Sequence, residues 1–223
     1  MTQVKIEKSI LQANEDIARE LRSKFKDENI TVINLISSPG AGKTTILEKT
    51  LPELSSKYKV AVIEGDVLTS RDAERIAKLQ VPVVQIETKG ACHLDAKMIK
   101  KALEELDLEG LDLLIIENVG NLVCPATFDL AEDAKVVILS VAEGSDKPAK
   151  YPTIFTRAKA CLLNKIDLLP YSNFSLEDYY RDVKQINPKL QTFEVSAFTG
   201  EGLETFVEWL EGLVANGGQE NRN

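Results

Sequence analysis

Apolar residues recur along this chain in dense short blocks separated by amphipathic stretches. Ile30, Val32, Ile33, Leu35 and Ile36 form the first block, and the runs Val60 to Ile63, Val81 to Ile86, Leu111 to Ile116, Val136 to Val141 and Cys161 to Leu163 repeat it. Runs of this length, rich in β-branched residues and closed by polar turns, are expected of parallel strands covered on both faces. Between them the apolar spacing turns helical, with Ile46, Leu47 and Leu51 in one stretch and Leu94, Met98, Ala102, Leu103 and Leu106 in another. A further helix is predicted to begin near Thr69 or Ser70, and the stretch Leu203 to Leu213 carries Phe206, Trp209, Leu210 and Leu213 on one side. The alternation predicts an α/β fold, a mostly parallel sheet of about seven strands flanked by helices.

The ends read differently. Ile6, Ile10, Ile17, Leu21 and Phe25 fall at helical spacing in a charged background, so residues 1–28 are expected to form an amphipathic helix laid against the domain or a partner. Residues 29–215 make the main domain, and residues 216–223 form a polar, glycine-containing tail. A length of 223 residues suits one hydrophobic core.

Charge and cysteine usage narrow the class. The net charge of −8 argues against general nucleic-acid affinity, so an anionic ligand must be captured locally. The opening residues mix polar and charged side chains and no run has the length of a membrane span, so no membrane association and a cytoplasmic location are expected. Three cysteines do not make a disulfide framework and read as thiols in a reducing compartment.

Two short runs point to the ligand. Ser37-Ser38-Pro39-Gly40-Ala41-Gly42-Lys43-Thr44 fits the G-x-x-x-x-G-K-[ST] phosphate loop except at its first position, and it lies between an apolar strand and a helical stripe. In that context the glycines let backbone N–H groups face the phosphates, Lys43 reaches the β- and γ-phosphates, and the Thr44 hydroxyl ligates Mg²⁺. Asn164-Lys165-Ile166-Asp167 ends a later strand, where open α/β sheets place ligands. The Asp167 carboxylate can accept from guanine N1–H and the exocyclic amine, Asn164 orients the loop, and the stem of Lys165 covers the base. The backbone of Ser196 and Ala197 is expected to meet guanine O6, so the two runs together predict GTP or GDP.

Glu117-Asn118-Val119-Gly120 stands where a D-x-x-G element would report on the γ-phosphate, with glutamate for aspartate. Glu117 is expected to hold Mg²⁺ directly or through water, and Gly120 N–H to bond the γ-phosphate. Asp66 is the second carboxylate expected near Mg²⁺ or the attacking water, with Asp72 a weaker candidate, so Lys43, Asp66 and Glu117 form the expected catalytic group. Cys124 lies four residues beyond Gly120, while Cys92 and the only histidine, His93, precede a helix whose N-terminus is expected to favour the thiolate. These three side chains suit Zn²⁺ or Ni²⁺, but three ligands do not close a tetrahedral site. A two-fold axis would supply more donors. Cys161, inside a strand, is read as a small buried residue.

With Ser37 to Thr44, Glu64-Gly65-Asp66, Cys92-His93-Leu94-Asp95, Glu117 to Pro125 and Asn164 to Asp167 in this order, the chain resembles the hydrogenase nickel-incorporation GTPases, the HypB family, over nearly its full length. The resemblance implies a SIMIBI-class GTPase that dimerises with GTP and helps deliver nickel to the large subunit of [NiFe]-hydrogenase, with a HypA-type nickel and zinc accessory protein. It also implies interfacial metal ligands at Cys92, His93 and Cys124, and nucleotide contacts at Gly40, Gly42, Lys43, Thr44, Thr45, Asn164, Lys165 and Asp167. Ala41 belongs to the same loop. The N-terminal cysteine motif and histidine-rich stretch of some members are missing from this sequence. Other readings remain open at this stage. A urease accessory GTPase would use a Cys-Pro-His motif where Cys92 is followed directly by His93, a nucleotide-bound metal buffer would not need turnover, and a cobalamin-mutase chaperone would not need the Cys-His-Cys set.

Overall fold

A computed structural model of the chain describes residues 3–66 and 71–217, with side chains of the first helix described from residue 10 onward. Seven parallel strands form one sheet in the order β3-β2-β4-β1-β5-β6-β7. They are β1 (Thr31–Ser37), β2 (Val60–Asp66), β3 (Val83–Glu87), β4 (Leu113–Glu117), β5 (Ala134–Ser140), β6 (Ala160–Asn164) and β7 (Gln191–Val195). The expected α/β class and near-parallel sheet are what the chain forms. The first six strands correspond to the six apolar blocks, whereas β7, with only Phe193 and Val195 buried, carries too weak a pattern to stand out in sequence.

Nine α-helices are described: α1 (Gln3–Asp27), α2 (Lys43–Lys57), α3 (Arg71–Ala77), α4 (Ala96–Ala102), α5 (Cys124–Thr127), α6 (Lys147–Lys150), α7 (Pro152–Arg157), α8 (Leu176–Ile186) and α9 (Leu203–Ala215). Alternate residues of β1 serve opposite layers, Ile33 and Leu35 packing with Leu47, Leu51 and Phe206 of α2 and α9, and Val32 packing with Leu21, Phe25 and Ile99 of α1 and α4. A third cluster joins Val137, Leu139 and Leu163 to Phe155 and Tyr179 of α7 and α8. The period of two in the strands thus gives a three-layer molecule with the core on both sheet faces.

The first helix forms, but its buried stripe is Asn14, Ala18, Leu21 and Phe25, while Ile10 is 54% exposed. Burying Leu21 and Phe25 stabilises the docking by roughly 1.5–3 kcal/mol each. Asn14 adds two directional bonds, donating through Nδ2 to Asp129 O (2.8 Å) and accepting at Oδ1 from Ala96 N (2.8 Å). The expected stripe residue Ile6, the helix start at Thr69 or Ser70, and the tail beyond residue 217 lie outside what is described. No helix among the described residues is long and apolar enough to cross a membrane.

Candidate functional site: a phosphate cavity joined to a sulfur–imidazole cluster

The C-terminal ends of β1, β2 and β4 open into a cavity of about 440 Å³ lined by phosphate-loop residues, Glu64, Asp66, Asp72, Arg75, Glu117, Gly120 and Lys165. Gly40 (φ 76°) and Gly42 (φ 106°) take the left-handed backbone that the loop needs, and α2 begins directly after Gly42. A Cβ at Gly42 would stand 2.4 Å from Asn164 Nδ2, so this glycine is also required by the guanine-side loop. Lys43 donates to Ser37 Oγ (2.9 Å), which gives the unusual first residue of the loop a role in holding the ammonium. Burial pushes the Lys43 pKa down against the pull of nearby carboxylates, Glu117 foremost.

A cluster of carboxylates sits at the deep end. Glu64, Asp72 and Glu117 bring ligand atoms within 4.8 Å of one another. Glu64 of β2 is the direct register partner of Glu117 of β4, and both are buried. Like charges facing each other across parallel strands are destabilising unless a proton or cation separates them. Thr44 donates to Glu117 Oε1 (2.7 Å), while Glu117 Oε2 and Glu64 Oε2 have no hydrogen-bond partner. Burial, then the charges of Glu117 and Asp66, push Glu64 up to about 8, and burial likewise raises Glu117. Two orphaned buried oxygens beside a threonine hydroxyl are a donor set for a hard divalent cation such as Mg²⁺. Sequence reasoning expected Asp66 as the second carboxylate of this group. Asp66 lines the cavity, but the cluster is made by Glu64, which reading each strand alone misses because only strand register brings it beside Glu117.

Arg75 is a second residue that reading missed. Its guanidinium bonds Glu48 through Nε (2.9 Å) and Nη2 (2.6 Å), Asp72 through Nη1 (2.9 Å) and Thr45 Oγ1 through Nη2 (3.1 Å). It therefore fastens α3, which carries Asp72, to the first turns of α2. Salt-bridge spacing alone, Asp72 to Arg75, was the only signal in the sequence.

Asn164 ties the guanine-side loop together by donating to Ala41 O (2.8 Å) and accepting from Ala197 N (3.0 Å). Lys165 has φ 65°, which lets its ammonium turn back onto Gly40 O (2.8 Å). Ser196 Oγ donates to Asp167 Oδ1 (2.5 Å). The amides expected to face guanine O6 are engaged within the chain, Ser196 N with Glu201 O (2.9 Å) and Ala197 N with Asn164 Oδ1. What the fold holds ready at this end is the Ser196 hydroxyl beside Asp167 and a bifurcation-capable Ala197 amide.

Beyond Gly120 the chain turns into the sulfur cluster. Cys92 Sγ lies 3.0 Å from Cys124 Sγ and 3.7 Å from His93 Nδ1, and the three donor atoms lie within 4.8 Å of one another. Cys92 and His93 themselves stand at a backbone bend, which follows a turn where Lys89 (φ 50°) and Gly90 (φ 99°) are left-handed. His93 is stacked on Phe128 at 3.9 Å, and burial lowers its pKa, which favours the neutral, ligating imidazole. The expected helix N-terminus does not act on Cys92, since α4 starts at Ala96 and Asp95 caps it by accepting from Met98 N (2.7 Å). Cys124 is pushed up, first by its bond with Cys92 and then by burial. Cys161 is fully buried and its thiol is raised to about 12, apart from this cluster.

Phosphate loop, switch-like strand end and asparagine-lysine-aspartate loop on a parallel sheet define a P-loop nucleotide-binding protein with a thiol and imidazole cluster attached. Residues 31–194 match the family model described as CobW/HypB/UreG, nucleotide-binding domain. The hydrogenase maturation factor HypB of Rhizobium leguminosarum bv. viciae is 49% identical over 93% of this chain and 70% of its own. The crystal structure of HypB from Helicobacter pylori in complex with nickel superposes with a TM-score of 0.87 at 40% identity, covering 92% of this chain and 96% of that one. HypB from Archaeoglobus fulgidus gives 0.85 at 35% identity, covering 92% and 100%. The chain belongs to the HypB hydrogenase maturation factors of the CobW/HypB/UreG family.

Proposed function

We propose that this chain is a cytoplasmic GTP-hydrolysing metallochaperone that assists nickel insertion into [NiFe]-hydrogenase. Cys92, His93 and Cys124 take Ni²⁺ or Zn²⁺ at the interface of a GTP-dependent homodimer. A HypA-type accessory protein and the hydrogenase large subunit are the partners. The observation that carries this reading is the convergence of Cys92, His93 and Cys124 within one chain, with Cys124 on the segment that leaves the nucleotide cavity at Gly120. Soft sulfur donors with imidazole suit nickel or zinc, and three donors leave room for the ligands of a second copy.

The nucleotide chemistry follows from the cavity. Phosphate-loop amides, Lys43 and the first turn of α2 balance the phosphate charge, and Asp167 with Asn164 selects guanine. Thr44 and Glu117, with Glu64 and Asp72 close by, would hold Mg²⁺, which would supply neutralisation of the phosphate charge. Asp66, at the cavity wall, is placed to orient the attacking water. Gly120 N–H bonds the γ-phosphate and loses that bond on hydrolysis, so the segment reaching Cys124 differs between the two nucleotide states.

The test is a titration of Ni²⁺ and of Zn²⁺ into the protein with GDP or a non-hydrolysable GTP analogue, following molar mass by light scattering. The reading expects dimer mass and tighter metal binding with the analogue. Mass and affinity indifferent to the nucleotide would refute it while leaving a plain GTPase standing, and no GTP turnover would leave a metal buffer.

A further inference from the structure

The geometry points to Asn118 as the positioning residue through which the nucleotide site and the sulfur cluster set one another, a role that rests on the coupling proposed above. Asn118 is 1% exposed, and its own N–H donates to Leu35 O of β1 (3.0 Å), so the residue is anchored to the central strand. Its Oδ1 accepts from two backbone amides, Val119 N (2.9 Å) and Leu94 N (3.2 Å). Val119 precedes Gly120, and Leu94 follows His93. One oxygen therefore holds the phosphate-facing segment and the Cys92-His93 loop at once.

Both ends of this bond are tightly fitted. A Cβ at Gly120 would stand 2.9 Å from Pro39 Cγ in the phosphate loop, so motion of that loop is felt at Val119. The Leu94 side chain fills the space under β2, where a Cβ on Gly65 would stand 2.8 Å from its Cδ1. Asn121 adds a parallel strap by donating to Cys92 O (3.1 Å).

The other half of the Asn118 amide fixes its orientation. Nδ2 donates to Asn34 Oδ1 (3.1 Å), while Asn34, fully buried in β1, has no partner for its own Nδ2. Inverting the Asn118 amide would set Nδ2 against Leu94 N and Val119 N, donor against donor, so Oδ1 stays on both backbone amides. The two amides are thus held by one oxygen, so a displacement of the phosphate-facing segment is shared with the Cys92-His93 loop.

The experiment measures the ratio of Ni²⁺ affinities with a non-hydrolysable GTP analogue and with GDP, for the unaltered chain, Asn118→Ala and Asn118→Asp. Asn118→Ala is expected to bring the ratio to within about twofold of one. Asn118→Asp keeps the ratio, because a carboxylate still accepts from both amides and takes a bond from the rotated Asn34 amide. An unchanged ratio in Asn118→Ala, or its loss in both variants, overturns the inference. A ratio of one in the unaltered chain overturns the proposed function as well. Should Asn118→Ala fail to fold, hydrogen exchange of the Leu94 amide in the unaltered chain decides, since protection must differ between the nucleotide states and equal protection rejects the role.

Discussion

At the scale of single residues, the facing pair Glu64 and Glu117 sets two buried carboxylates directly opposite each other. Glu64 titrates near 8 when folded and near its ordinary carboxylate value when unfolded, so between those values the folded chain holds a proton that the unfolded chain lacks. Stability of the cation-free chain must then fall as pH rises from about 5 to about 8, by up to roughly 4 kcal/mol in total. Thermal melting over that range in the presence of a chelator should show the decline, and Glu64→Gln should flatten it; parallel profiles would dismiss the pair as its source. On the loop from Asn164 to Asp167, Asp167→Asn exchanges two acceptors for a donor and an acceptor. GTP affinity should fall by about 100-fold or more while the affinity for xanthosine triphosphate rises, as read by nucleotide competition.

Single-residue chemistry was partly legible in the sequence. Lys43, Thr44, Glu117 and Asn164 stand in runs whose spacing alone marks them; the fold sets the first three around one cavity and Asn164 against Ala41 of the phosphate loop. Glu64 was hidden because its partner lies 53 positions away across a strand pair, a relation that no local pattern encodes. The internal bonds of Ser196 N with Glu201 O and of Ala197 N with Asn164 Oδ1 could not be read from residue type, because they depend on how the turn and the neighbouring strand end meet.

Among the elements, α1 does more than cover the sheet. Asn14 clamps the N-terminal amide of α4 and the carbonyl of Asp129, so it spans the elements on either side of the sulfur cluster. Removing both bonds from a buried site leaves Ala96 N and Asp129 O without partners, which costs about 1–3 kcal/mol. Urea denaturation of Asn14→Ala should show that loss, and a change below about 0.5 kcal/mol would mean water replaces the clamp. Periodicity found this helix and mistook its face: Ile10 fits an apolar stripe but lies outside the docking surface, whereas the polar Asn14 is inside it. Apolar spacing identifies a helix well, but a buried side chain chosen for two hydrogen bonds looks like part of the solvent face until its partners are known.

Taken whole, the molecule joins two chemistries through one stretch of backbone. Glu117 bonds Thr44 at the phosphate loop, Gly120 abuts Pro39, and Cys124 meets Cys92 seven residues beyond Glu117. Charge, composition and motif order made the class of protein readable before any fold was known, and the parallel sheet explains why distant motifs share one edge. The sequence left open how neighbouring Cys92 and His93 could face one ion; in the fold both stand at a backbone bend with their donor atoms close together.

The central claim is that the segment sensing the γ-phosphate also delivers a sulfur ligand, and linkage makes it measurable from the nucleotide side. Affinity for a non-hydrolysable GTP analogue should be determined with and without saturating Ni²⁺, in the unaltered chain and in Cys124→Ala. The account predicts that nickel tightens analogue binding by about 5-fold or more in the unaltered chain and leaves Cys124→Ala indifferent. Equal affinities with and without nickel in the unaltered chain, or an undiminished nickel effect in Cys124→Ala, would contradict it.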